Sequence, residues 1–283
     1  MLEKLFNDFC DERRYLRNVS PLTIRSYRRS FIRFSKATGT SDIPIKAQLN
    51  EFVMKMREWG LSPVTCNISI RAMNAFLSWL LECGHIRERL KMKQLKVEKK
   101  IIKPYSDAEL SRILSFRPNT FVQARLHTLV CTLIDTGCRI EEVLNIRTPE
   151  LDFENLLITV RGKGNKKRVV PFSIELRKVL YKYVNRYGDS GFVFGNKHGD
   201  KADYRSLLKQ WWRLCEKLGI EYRGFHSLRH NYGLNFIRQG GDISELRRLL
   251  GHSSITTTAM YVNLQTEDLK RAHARTSILT RLR

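Results

Sequence analysis

The sequence predicts a mainly α-helical protein with one small β-hairpin or sheet, an α+β chain of two domains. Three observations carry that reading. The first hundred residues contain two helix starts marked by Ser-Pro, a Lys- and Arg-rich run approaches residue 100, and one β-rich stretch, LLITVRGKGNKKRVVPF, stands among otherwise helical patterns. A length of 283 residues accommodates two domains, and 42% hydrophobic content is enough for ordinary cores.

The first domain is expected to be a four-helix unit. Residues 3 to 17 carry apolar side chains at helical spacing, and residues 45 to 59 form an amphipathic stretch. The other two helices open with VSPLTIRSYRRSF and LSPVTCNISIRAMN. Ser20 and Ser62 can cap the first free amides, while Pro21 and Pro63 occupy a first position whose N–H is not needed. Short Gly- or Pro-marked turns between them suit a small bundle.

Charge sets the partner. Lys and Arg number 51 against 28 Asp and Glu, a formal net charge of +23. Such a balance favours nucleic acid, because neutralising phosphates releases counterions. Arg25, Arg28 and Arg71, in the first turns of the Ser-Pro helices, are then expected to face DNA. A membrane partner is not expected: no polybasic cluster adjoins an apolar anchor, and no run approaches the roughly 20 apolar residues a spanning helix needs. MLEKLFNDFCDERR has no signal-peptide apolar region, so the expected location is the cytoplasm, beside the nucleoid. The six cysteines form no C-x-x-C pair and read as reduced thiols. With no P-loop and no G-x-G-x-x-G, no cofactor is expected.

Residues 87 to 104, RERLKMKQLKVEKKIIKP, read as a basic linker, after which Ser106 and Glu109 form a capping box that restarts helix. The domains are therefore expected at 1–100 and 101–283, strapped together as a C-shaped clamp around a duplex. In the second domain, β-rich runs at 156–161 and 168–172 flank a Gly-Lys-Gly-Asn turn, which puts Lys163 at the tip of a hairpin. Helices are expected at about 174–187, 203–218, 226–239 and 243–250, the last two separated by Gly240-Gly241. The segment TEDLKRAHARTSILTRLR suits a final tail helix at about 265–283.

Four stretches of the second domain suit a phosphodiester. DTGCRIEEVLNI places Arg139 just after Gly137 at a helix start. The hairpin supplies Lys163, FHSLRH puts His226 and Arg229 on one helix face, and GHSSITTTAMY supplies His252 and Tyr261. Guanidinium forks bind phosphate oxygens, lysine can protonate a leaving oxygen, and tyrosine can act as a covalent nucleophile. Were residues 251 to 261 a single helix, the step from His252 to Tyr261 would turn about 900° and set them on opposite faces. A break at Gly251 with a new cap at Ser253 or Ser254 lets them converge. On the residues alone, Arg161, Lys166, Lys167 and Arg168 compete with Lys163, and Tyr222 and Tyr232 compete with Tyr261.

The set TG-x-R-x-x-E, G-K-G-x-K-x-R-x-x-P, H-x-L-R-H, L-G-H-x-s-x-x-T-T and a final Tyr, in this order, resembles the tyrosine site-specific recombinases, the group of phage integrases and Xer-type resolvases. The first hundred residues resemble that family's core-binding domain. The resemblance implies that Arg139 and Arg229 hold the scissile phosphate and that Lys163 is the general acid. It also implies that His226 and His252 orient the phosphate and assist proton transfer, that Tyr261 is the nucleophile and that Glu142 buttresses the site. Lys166, Lys167 and Arg223 are expected to touch DNA. The implied reaction passes through a 3′-phosphotyrosyl bond and a Holliday junction without metal or ATP. Its implied partners are double-stranded DNA with inverted-repeat core sites and three further copies of the chain, a homo-tetramer closed by exchange of the tail. A type IB topoisomerase, or a DNA-binding regulator using residues 226–251 as a helix-turn-helix, are the rival readings.

Overall fold

The computed structural model of the chain describes residues 1–40, 42–98, 103–162, 167–188 and 191–251. Two compact units emerge, Met1–Lys100 and Ile101–Arg283. Lys163, Lys166, His252, Tyr261 and the tail lie outside the described residues.

The first unit holds α1 (Leu2–Asp11), α2 (Pro21–Thr38), α3 (Lys46–Glu58) and α4 (Pro63–Glu82). Both Ser-Pro starts form as the sequence predicts, the Ser20 hydroxyl accepting from the Thr23 amide and Ser62 from Thr65. The expected helix over 3–17 instead widens after Asp11 into a π-helical turn, Glu12–Leu16, so that the Arg17 amide donates to the Glu12 carbonyl. Phe6, Phe9, Phe31, Phe76 and Trp79 interlock at the centre, Phe6 lying flat on Phe31 at 4.0 Å and edge-on to Phe76 at 5.2 Å. Beyond α4, the chain is pinned back by two buried or half-buried amides. Asn67 exchanges two hydrogen bonds with the Leu95 backbone, and Asn74 does the same with Met92.

The second unit begins with α5 (Asp107–Leu114), where Ser106 and Glu109 cap each other reciprocally. Its central element is α6 (Phe121–Thr136), buried without a break from Ala124 to Leu133. Then come α7 (Ile140–Leu144), β1 (Leu151–Asp152), β2 (Leu157–Arg161), β3 (Lys167–Pro171), α8 (Ile174–Tyr187), α9 (Tyr204–Lys217), α10 (Phe225–Arg238) and α11 (Ile243–Leu250). The three strands form an antiparallel sheet in the order β1-β2-β3, with Arg161 facing Lys167 and Val160 facing Arg168 across the hairpin. Burial alternates along β2 and β3, so Ile158, Val160 and Val170 enter the core that α6, α8 and α9 complete with Leu129, Leu180 and Trp211, joined by Phe194 from the segment between α8 and α9. Asn231 of α10 fastens the start of the unit, accepting from the Tyr105 amide at 2.8 Å and donating to its carbonyl at 2.7 Å.

Among the described residues all six cysteines are free, five of them buried. No described helix is long and apolar enough to cross a membrane.

Candidate active site

The site grows from the end of α6. Gly137 closes that helix at φ +62°, a conformation costly for residues with a Cβ. A Cβ there would also meet the Tyr232 ring at 2.5 Å and Leu250 at 2.9 Å, so only glycine lets α6 end against both α10 and α11. Two residues later the backbone turns again, and Arg139 becomes the N-cap of α7. Its amide donates to Glu142 Oε2 at 2.8 Å and its Nη1 to Oε1 at 2.9 Å. The Arg139 side chain is 41% exposed, leaving it within reach of an anion from outside.

Arg229 sits deeper, at 1% exposure. Its Nη1 donates to the Gly137 carbonyl and its Nη2 to the Leu250 carbonyl, both at 2.8 Å. These oxygens lie where α6 and α11 end, at the negative poles of two helix dipoles, and so offset the desolvation of the guanidinium. One turn earlier on α10, His226 keeps an exposed edge. Its pKa is lowered, by partial burial first and then by the charges of Arg229 and Arg139. The His230 ring stands edge-on to it at 4.5 Å. Burial, then His226 and Arg229, push the His230 pKa down to about 4. Both imidazoles are therefore neutral at neutral pH.

Glu142 is the hub. Only 3% exposed, it takes Nη1 and Nη2 of Arg168 on its two oxygens at 2.7 and 2.9 Å, with Arg229 Nη1 at 4.0 Å. Burial alone would raise its pKa, but the hydrogen bonds from Arg168 and from the Arg139 amide outweigh this and hold it below the usual value. Three guanidinium groups around one carboxylate leave an excess of positive charge where α6, α7, α10 and α11 meet. That is an arrangement for an anion.

The structure thus gathers Arg139, Glu142, His226 and Arg229. Arg223, expected to touch DNA, is turned inward. That side chain is 9% exposed, donates to Glu109 at 3.1 Å and to Glu221 at 2.8 Å, and lies over the Tyr105 ring at 4.6 Å. Two nearby carboxylates and an aromatic face draw the guanidinium inward. Lys167, Arg25 and Arg71 are exposed, and Arg28, also exposed, donates to Asn7 at 3.2 Å. Arg168 joins the site through Glu142, a placement that charge along the chain does not give. The signal was the strand period, since Arg168 shares the inner face of β3 with Val170. Gly251 does end α11, in a left-handed conformation at φ +64°.

The profile of the phage integrase family matches residues 103–268. The tyrosine recombinase XerA of Thermococcus onnurineus is 30% identical over 269 residues, covering 93% of this chain and 92% of its own. XerD of Oceanobacillus iheyensis is 27% identical over 297 residues, covering 95% of this chain and 97% of its own. In fold, the Tn1549 transposon integrase bound to transposon right end DNA superposes with a TM-score of 0.79, at 20% identity over 96% of this chain and 98% of that one. XerH bound to its difH substrate gives 0.72, at 22% identity over 95% and 82%. A mainly helical protein with an arginine-lined anion site of this build is a tyrosine recombinase in class. The chain belongs to the phage integrase family.

Proposed function

We propose that the chain cleaves and rejoins DNA at specific sites, with Tyr261 as nucleophile. The observation that carries this reading is the junction of Arg139, Glu142, His226 and Arg229 in a chain of this family. Arg139 and Arg229 hold the non-bridging oxygens of the scissile phosphate and stabilise the charge of its transition state. The Tyr261 oxygen attacks phosphorus, the bond to the 5′-oxygen breaks, and Lys163 gives that oxygen its proton. His226 and His252 take part in removing the tyrosine proton, a role the neutral state of His226 supports. The 5′-hydroxyl of a partner strand then attacks the phosphotyrosine and releases Tyr261. Two such exchanges pass through a Holliday junction, and the retained bond energy makes ATP unnecessary. Exposed Arg25 and Arg71, with Lys166 and Lys167 of the hairpin, bind the duplex backbone, in the cytoplasm where the DNA lies.

Trapping on a nicked suicide substrate tests the reading. A covalent, SDS-resistant adduct supports it, and a protein that binds the site without one is a regulator instead. On the same substrate, Lys163→Ala is expected to slow cleavage by roughly 10² to 10⁴, the usual range for a lost general acid. A 5′-bridging sulfur needs no proton to leave and should rescue the variant. If sulfur brings no rescue, Lys163 is a phosphate contact and not the acid.

The tail completes the proposal. Leu264, Leu269, Ala272, Ile278 and Leu282 give it an apolar stripe, and a short helix does not hold alone in water. We propose that it docks on a neighbouring copy, closing a ring of four on two inverted-repeat sites. Truncation after residue 266 is then expected to spare single-site binding and to weaken synapsis and strand exchange severely. Wild-type recombination by the truncated chain would remove the tail from assembly.

A further inference from the structure

We infer that Arg168 is a positioning residue that locks the hairpin to the end of α11 through Glu142. The inference rests on the recombinase reading above for its catalytic consequence, though not for its geometry. Arg168 stands on the inner face of β3, opposite buried Val160. From there its fork meets the Glu142 carboxylate with two near-parallel bonds, at 2.7 and 2.9 Å. Its Nε donates to the Leu249 carbonyl at 3.3 Å, in the last turn of α11. The flat face of the same guanidinium lies against Gly251, where a Cβ would sit 3.0 Å from Cζ, Nε and Nη1. One planar group therefore joins β3, α7 and the close of α11. Its side chain is 18% exposed.

Each attachment has a sequence neighbour that matters. Lys163 precedes β3 by four residues, Arg139 shares the Glu142 carboxylate, and His252 follows Gly251. A shift of Arg168 is thus felt at three catalytic positions at once. Charge adds to the geometry. With its carboxylate already held by the Arg168 fork, Glu142 does not need Arg139, which is left able to turn toward a phosphate. Lysine cannot replace this residue, because an ammonium has neither the fork nor the flat face that fits over Gly251.

The test is a comparison of Arg168→Lys and Arg168→Met with the wild-type chain in three measurements: single-site DNA affinity, single-turnover cleavage of the nicked substrate, and amide exchange by peptide. Arg168→Lys should leave affinity nearly unchanged and slow cleavage roughly 10²-fold, as expected when reacting groups are displaced by about an ångström. Exchange should quicken in the peptides covering 162–168 and 247–256, while α8 stays protected. The lysine variant keeps a charge beside Glu142, so it decides the matter even where the methionine variant fails to fold. Full cleavage by Arg168→Lys means that charge alone suffices and overturns the inference. Exchange that rises equally in α8 marks general loosening and overturns it too. A wild-type chain that forms no adduct sinks the recombinase reading instead, and the exchange comparison still judges the lock.

Discussion

Tyr261→Phe is expected to abolish strand cleavage while leaving affinity for the recombination site intact. The substitution removes one oxygen, the atom that in the proposed reaction bonds to phosphorus, and leaves the rest of the side chain unchanged. Of the two described tyrosines that compete with it in the sequence, neither is well suited to replace it. The Tyr232 ring is wedged against Gly137, and its hydroxyl pKa is raised, by burial first and then by Asp135 and Cys138. Tyr222 is 38% exposed, and burial raises its pKa as well. A phenol held neutral in this way is a weaker nucleophile than one beside cationic groups. The measurement is adduct formation on a nicked suicide substrate, alongside a binding titration. An adduct formed by Tyr261→Phe would transfer the role to one of the other two, and Tyr222→Phe and Tyr232→Phe variants would then identify it.

Much of this architecture was legible in the sequence because local signals and tertiary packing agree. Ser20-Pro21 and Ser62-Pro63 cap helices as written, Ile174–Tyr187 and Ile243–Leu250 fall where their periodicity puts them, and Gly251 ends α11. The described part of the candidate site follows the same local signals: His226 and Arg229 lie on a helix, and Arg139 follows the glycine that ends α6. Where packing overrides local pattern, the reading fails. α6 is buried on every face, so it has no amphipathic stripe to reveal it. β1 has two residues, too short for a period. The directions of Arg168 and Arg223 depend on carboxylates distant in sequence, Glu142 for one and Glu109 for the other. Charge along the chain shows how many cations there are, not which ones are spent inside.

Glu142→Ala is expected to be among the most destabilising single substitutions in the second unit, because it strips the partner from Arg168 and removes the acceptor from Arg139. Breaking a buried ion pair on one side costs about 3–5 kcal/mol, a large share of the roughly 5–15 kcal/mol that holds a domain folded. Glu142→Gln should also destabilise, since its NH₂ would face N–H donors where Glu142 now accepts on both oxygens. The same carboxylate sets an acid limit. Its folded pKa lies below its ordinary value, so the stability it contributes is present above the unfolded pKa and is lost as pH falls through the folded one. His230 acts in an earlier window. Its pKa falls from 6.5 to about 4 on folding, so the unfolded chain takes up a proton first and stability declines as pH drops between those values. Urea midpoints of wild type, Glu142→Gln and His230→Gln, measured from neutral pH down to about pH 3, separate the two. The Glu142→Gln curve should run parallel to wild type above the carboxylate range and converge on it below, while His230→Gln should flatten the decline that begins near 6.5. A constant gap between Glu142→Gln and wild type at every pH would mean that Glu142 stabilises the fold by shape alone, and the charged hub would have to be abandoned.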